Sequence, residues 1–264
     1  MVNSSAKSLL QNYAISVINL DRCGQRMERI GSHLDGLGLA YNRVSAIDGQ
    51  TDDLTQSPAQ YSQALNAKQF FVALKLAEIA CFQSHYKALL GFVAQQDYQT
   101  LLVLEDDVEL MPGQHLHLPK VAAYMASETP MLVKLYAKRV ESGRTIAFPL
   151  KEVACILPNK VPLGFQAQMY NKAAAKELLT KFKAFGRPID VEVQLWWRYQ
   201  TKIMLLKPNL IRELSLEVGG STISPEPKPI TLTKIKLELE RPWFRLKLLS
   251  TSLYYRTQYK LFNK

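Results

Sequence analysis

The chain has 264 residues, 47% hydrophobic and 21% charged, with a net charge of +10. This length and apolar content fit one α/β domain with an appendage and exclude a disordered chain. The three separated cysteines form no Cys-x-x-Cys pair, residues 1–12 lack the pattern of a secretory signal, and no run approaches the roughly 18 apolar residues of a membrane span, so the expectation is a cytosolic protein without disulfides, zinc site or transmembrane helix.

A first strand is expected over Tyr13 to Leu20, ending in Asn19-Leu20-Asp21, with Asp21 as cap of a helix whose Met27, Ile30, Leu34 and Leu37 recur at helical spacing until Gly36 and Gly38 stop it. A second strand covers Tyr41 to Ala46 and turns at Asp48-Gly49. Residues Gln50 to Ala67 are polar, carry Pro58 and read as a loop. Glu78 to Gln96 predicts a long helix burying Ile79, Phe82, Tyr86, Leu89, Leu90 and Val93. Further strands are expected at Thr100 to Leu104, Met131 to Tyr136, Val153 to Leu157 and Phe165 to Tyr170, followed by a helix capped by Asn171 with Ala175, Leu178, Leu179 and Phe182 inward. The alternation predicts an α/β fold with a largely parallel sheet covered on both faces.

In such a sheet, ligands settle beyond the carboxyl ends of the strands. The polar residues expected there are Asn19, Asp21 and Arg22, then Asp48 and Gly49, then Glu105-Asp106-Asp107. Three adjacent carboxylates repel one another, and a divalent cation with oxygen ligands relieves that repulsion; taken alone, the cluster reads more readily as a solvated acidic turn, and its context decides. Neither a Gly-x-Gly-x-x-Gly after the first strand nor a P-loop is present, which argues against dinucleotide and P-loop readings.

The charge concentrates at the end. After a Pro-rich linker at 225–230, the segment 231–264 holds eight basic residues against Glu238 and Glu240, interleaved with Trp243, Phe244, Leu246, Leu248, Leu249, Leu253, Tyr254 and Tyr255. Basic and aromatic residues together suit an anionic membrane surface; packing on the body is the other reading. The expected organisation is a catalytic domain over 1–224, the linker, and this tail.

Five segments in order, Val17-Ile-Asn-Leu-Asp-Arg22 with Arg26, Ala46-Ile-Asp-Gly49, Glu78-Ile-Ala-Cys-Phe-Gln-Ser-His85, Leu102-Val-Leu-Glu-Asp-Asp-Val108 and Pro188-Ile-Asp190, resemble glycosyltransferase family 25 of lipopolysaccharide and lipooligosaccharide biosynthesis. The resemblance covers about 13–224, with Ala80 where the family usually has Gly. It implies a GT-A type nucleotide-sugar fold and inverting transfer of a hexose, most often galactose, from a UDP-sugar to a sugar hydroxyl of a lipid-linked core.

By that resemblance Glu105-Asp106-Asp107 is the counterpart of an Asp-x-Asp motif holding Mn²⁺ or Mg²⁺ against the diphosphate. Asp107 would be the first ligand and Glu105 its partner on the same face of an extended chain, with Asp106 turned to the ribose or a water. Donor contacts fall on Asn19, Asp21, Arg22, Arg26, Asp48, Gly49, Glu78, Ser84, His85, Glu105, Asp106 and Lys134, and Gln168 lines the acceptor side. Asp190 matches the family's base position and could equally cap a helix; Glu192 is the fallback base. The expected setting is the inner face of the bacterial inner membrane. Two other classes compete: a nucleic-acid-binding module, supported by composition alone and therefore disfavoured, and a non-catalytic membrane scaffold.

Overall fold

The computed structural model describes residues 11–139, 142–214 and 232–262, with side chains of the last segment described from 240 to 258. The Pro-rich linker lies outside these residues.

Eight strands form one sheet in the order β2 (Asn42–Ser45), β1 (Ala14–Asn19), β4 (Thr100–Glu105), β9 (Ala167–Asn171), β6 (Met131–Lys134), β11 (Lys202–Lys207), β8 (Ala154–Pro158) and β7 (Gly143–Ile146). Two short pairs flank it, β3 (Gln60–Tyr61) with β10 (Ala184–Phe185) and β5 (Val108–Leu110) with β12 (Ile211–Glu213). The helices are α1 (Gly24–Gly36), α2 (Gln63–Gln69), α3 (Leu76–Ala94), α4 (Leu118–Met125), α5 (Lys172–Lys181), α6 (Ile189–Glu192) and α7 (Leu232–Phe262).

Side-chain alternation along β4 divides the core. Leu102 and Leu104 join Ile30 and Leu34 of α1 and Val121 and Met125 of α4 on one face. Leu101 and Val103 join Phe82, Tyr86 and Leu89 of α3 and Leu178 and Phe182 of α5 on the other. Both faces are therefore covered, as the sequence predicts.

The sheet is mixed rather than largely parallel. β1 pairs in parallel with β2 and β4, and β6 with β11, but β9 runs antiparallel between β4 and β6, and β8 runs antiparallel to both β11 and β7. Residues 147–153 are too few for the crossover of a dozen or more residues that parallel strands require, so β7 and β8 pair antiparallel, whereas β8 and β9 run the same way and are separated in the sheet by β11 and β6. The carboxyl ends of β1, β2, β4 and β6 still share one edge, because β6 is antiparallel to β9 and hence parallel to β4.

Local capping matches expectation in places and departs in others. Asn171 caps α5 by accepting from Ala174 N at 2.9 Å, and its amide donates to Met125, Ser127 and Thr129 carbonyls, tying α5 to the end of α4. Gly38 takes φ +72°, the left-handed conformation that ends α1. Asp21 does not cap α1: the cap position is Cys23, and Asp21 pairs with Arg43 and accepts from Ser45. The polar stretch 50–67 is not a bare loop, since it contains β3 and the start of α2. There Ser62 caps α2 through Leu65 N, and Gln83 holds the Leu54 and Ala59 carbonyls. Leu90, expected inside, is 37% exposed.

Helix α7 packs on the body through one face. Leu248 and Ser252 are buried, Phe244 meets Phe70 edge-on at 5.3 Å, and Trp197 stacks on Tyr255 at 5.6 Å. Trp243, Leu246, Leu253 and Tyr254 remain exposed. No helix among the described residues is long and apolar enough to cross a membrane.

Candidate active-site cleft

A cleft of about 600 Å³ opens at the carboxyl edge, between the ends of β1 and β4, the 46–50 turn and the first turns of α3. It collects Asn19, Arg22, Arg26, Asp48, Gly49, Ser84, His85, Glu105, Asp106 and Asp107, ten of the residues the sequence singles out. Gly49 is required by close approach, for a Cβ there would lie 2.7 Å from the Leu76 carbonyl.

The three carboxylates diverge, because Asp106 and Asp107 lie in a turn between β4 and β5 rather than in an extended strand. Glu105 therefore does not share a strand face with Asp107. It meets His85 Nε2 at 3.1 Å and Cys81 Sγ at 3.9 Å, and these three are a potential metal-ligand group whose donor atoms lie within 4.8 Å of one another. Asp106 turns the other way, accepting from Asn19 Nδ2 at 2.7 Å and facing Arg26 Nη1 at 3.4 Å. Asp107 is buried, and its Oδ1 has no hydrogen-bond partner.

Electrostatics follow from this crowding. Burial first, then Asp106 and Asp190, pushes Glu105 up to about 8, although a quarter of its side chain still faces the cleft. Burial and the Glu105 charge push Asp107 up to about 7. Burial lowers His85 to about 3, so its contact with Glu105 at neutral pH is a hydrogen bond to a neutral ring and not an ion pair. The buried, unpartnered Asp107 Oδ1 and the Glu105 carboxylate are oxygen donors of the kind a divalent cation takes, although the donor atoms brought within 4.8 Å of one another among the described residues are those of Cys81, His85 and Glu105.

Other expected residues lie elsewhere. Asp21 sits with Arg43 away from this cleft. Glu78 reaches back to Lys75 N at 2.8 Å and caps α3. Lys134 is neither a surface residue nor a cleft residue: it is 1% exposed and donates to the Pro162 and Gly164 carbonyls, with burial lowering it to about 8. Gln168 is fully buried on β9 with both ends of its amide unpartnered, so it does not line an open acceptor face. Glu192 is locked by Arg187 at 2.7 Å, by Arg198 and by Tyr199 at 3.0 Å, a structural network unsuited to a mobile proton.

Asp190 is not the helix cap, a place taken by Pro188, and its Oδ2 accepts from Gly164 N at 3.0 Å. Its charge acts on Glu105, His85 and Lys134, although Asp190 itself is not among the residues that line the cleft. Two contributors were not among the expected site residues. Cys81 lines the cleft one turn before His85, a spacing visible on the helix stripe. Arg29 donates to the Asp106 carbonyl at 2.6 Å and fixes the acidic turn, signalled only by its place three residues after Arg26.

Residues 12–192 match the model of glycosyltransferase family 25, described as an LPS biosynthesis protein. A Glycosyltransferase 25 family member of Drosophila melanogaster is 30% identical over 109 residues, covering 40% of this chain and 18% of that protein. A namesake from Aedes aegypti is 31% identical over 101 residues, covering 37% and 16%. The chain thus spans less than a fifth of the length of these relatives. The solved structure of A197 from STIV aligns with 83% of this chain and 100% of its own at 12% identity and a TM-score of 0.39, too loose a likeness to carry an argument.

The raised carboxylates make stability depend on pH. Their folded values near 8 and 7 exceed the ordinary 4.5 and 3.8, so the folded state holds protons that the unfolded chain has released, and stability falls as pH rises through that window. His85 has the opposite sign only below its ordinary 6.5, and Lys134, lowered from 10.5 to about 8, opposes the carboxylates only as pH approaches 8 and beyond, so the two carboxylates dominate between 6.5 and 8. With chelator present, chemical denaturation is expected to lose on the order of 1–3 kcal/mol across that interval. Mn²⁺ should restore most of it at pH 8, and Asp107→Asn should flatten the slope; a wild-type profile that is already flat would contradict the assignment.

Proposed function

The chain belongs to glycosyltransferase family 25, and we propose that it transfers a hexose, galactose in the first instance, from a UDP-sugar to a sugar hydroxyl of a lipid-linked core oligosaccharide, with inversion. The observation that carries the reading is the orphaned Asp107 Oδ1 in a cleft that Arg22 and Arg26 also line. We read the catalytic body, 1–224, as a GT-A type nucleotide-sugar fold; its support is the set of parallel strands β2, β1 and β4 ending at the cleft.

Asp107 and Glu105 are the residues that would hold Mn²⁺ or Mg²⁺. When bound, such an ion supplies Lewis-acid neutralisation of the departing diphosphate. Arg22 and Arg26 are placed to add guanidinium charge to the phosphate oxygens, while Asp48 and the backbone at Gly49 face the ribose and base. Ser84 holds the turn itself, accepting from Ile47 N at 2.8 Å and donating to Ala80 O at 2.7 Å.

Inversion needs a base on the acceptor side. Asp190 fills this role best: the Gly164 N–H orients its carboxylate, and buried Lys134, which grips the Gly164 carbonyl, lends positive charge nearby. Glu192 is withdrawn as fallback because its oxygens already serve two arginines.

For the tail, 231–264, we propose contact with an anionic membrane that carries the acceptor, at the inner face of the bacterial inner membrane. Exposed Trp243, Leu246, Leu253 and Tyr254 lie on α7 with Arg245 and Lys247 also exposed, the combination that inserts apolar groups and attracts anionic lipid. Co-sedimentation with phosphatidylglycerol vesicles, absent with phosphatidylcholine alone, should be lost in Leu246→Asp/Leu253→Asp; undiminished binding by that variant would refute tail contact.

Asp107→Ala should lower UDP-hexose turnover by about 10²–10³-fold while the melting temperature is retained. Asp190→Asn should lower transfer by about 10²–10⁴-fold and leave UDP affinity intact. Full turnover in excess EDTA would defeat the cation role, and full turnover by Asp190→Asn would remove the base.

A further inference from the structure

A second cleft, of about 720 Å³, lies at the opposite edge of the sheet, where β6 and β11 begin. Its floor is apolar, built by Met131, Ile203 and Met204, and its walls are rings from Tyr124, Trp197 and Tyr255. Helix α7 forms its roof. That roof is fixed by a relay in which Trp196 Nε1 donates to Ser252 Oγ at 2.9 Å and Ser252 donates to the Asn159 carbonyl at 2.9 Å.

Three cations also line this space, Arg144, Lys202 and Arg256. Arg256 lies 4.8 Å over the Trp196 ring and donates to Asn159 O at 3.2 Å. Among the described residues none of the three has an ion-pair partner, and no carboxylate lines the space; Glu177, which accepts from Gln200 N and Thr201, stands outside the lining. Burial and the nearby Arg144 charge both lower the Arg256 pKa, so like charges are held together without a counterion. Unneutralised guanidinium and ammonium groups at the edge of an apolar, ring-walled cavity are complementary to a ligand with an anionic head and an apolar body.

We propose that this cleft is a binding site for an anionic amphiphile, a phosphate-headed molecule bearing an acyl chain, seated with its chain on the β6–β11 floor and its head among Arg144, Lys202 and Arg256. The site is separate from the UDP-sugar cleft, so it stands or falls independently of the glycosyl-transfer reading.

Trp196 and Trp197 report on it directly, since the third tryptophan, Trp243, can be replaced by Phe. In a Trp243→Phe background, dodecyl phosphate below its micelle concentration should give a saturable fluorescence change. Inorganic phosphate and dodecyl maltoside should each bind at least tenfold more weakly. Arg144→Gln/Lys202→Gln, at two exposed positions without side-chain bonds, should weaken dodecyl phosphate at least tenfold with no change in UDP-hexose turnover or melting temperature. Loss of phosphatidylglycerol vesicle binding in the same variant would identify the ligand as a membrane lipid, and retained vesicle binding a soluble amphiphile. No saturable change, equal affinity for the neutral detergent, or unaltered affinity in the double variant would each overturn the site.

Discussion

The burial of β4 is the constraint on which the rest of this structure depends. Leu101, Leu102, Val103 and Leu104 are each at most 1% exposed, and burying such side chains stabilises by about 1.5–3 kcal/mol apiece. That sum exceeds the few kcal/mol of repulsion between neighbouring carboxylates at an effective dielectric near 20. The strand therefore delivers Glu105, Asp106 and Asp107 to one edge whether or not their charges favour it. The surrounding structure answers each charge differently: a neutral histidine for Glu105, Asn19 and Arg26 for Asp106, and nothing for Asp107 Oδ1.

The mixed sheet sharpens this arrangement. With β9 inserted antiparallel beside β4, the connection from β8 arrives at the cleft's edge, bringing Gly164, which accepts from Lys134 and donates to Asp190. The acidic cleft and an oriented carboxylate thus meet through one short loop. Helix α7 closes the opposite side of the molecule, and its two faces differ in kind, one spent on Trp196, Trp197 and Asn159, the other open.

Much of this was legible in the sequence where a residue's chemistry is local. Asn171 before an Ala- and Leu-rich helix, Gly38 after α1, and polar residues closing apolar strands all report directly on backbone need. Strand direction was not legible, because an apolar run such as Ala167 to Tyr170 reads the same both ways. Lys134 was misplaced for a related reason: within Leu-Val-Lys-Leu-Tyr its charge suggests water, but β6 lies between β9 and β11 and the side chain finds carbonyls inside. Asp21 looked like a helix cap, yet Arg43 and Ser45, distant in sequence, claim it. The final apolar run Ile203-Met-Leu-Leu206 is a central strand bounded by Lys202 and Lys207-Pro208, where no strand was expected.

In the proposed function the acidic turn after β4 holds the donor's diphosphate through a divalent cation, with Asp107 as the essential ligand. Titration calorimetry of UDP into the full chain tests it most directly. UDP should bind in Mn²⁺ and lose at least tenfold in affinity both in EDTA and in Asp107→Asn, with no loss in Asp21→Asn. Equal UDP affinity with and without the cation, or an unaltered Asp107→Asn, would contradict it.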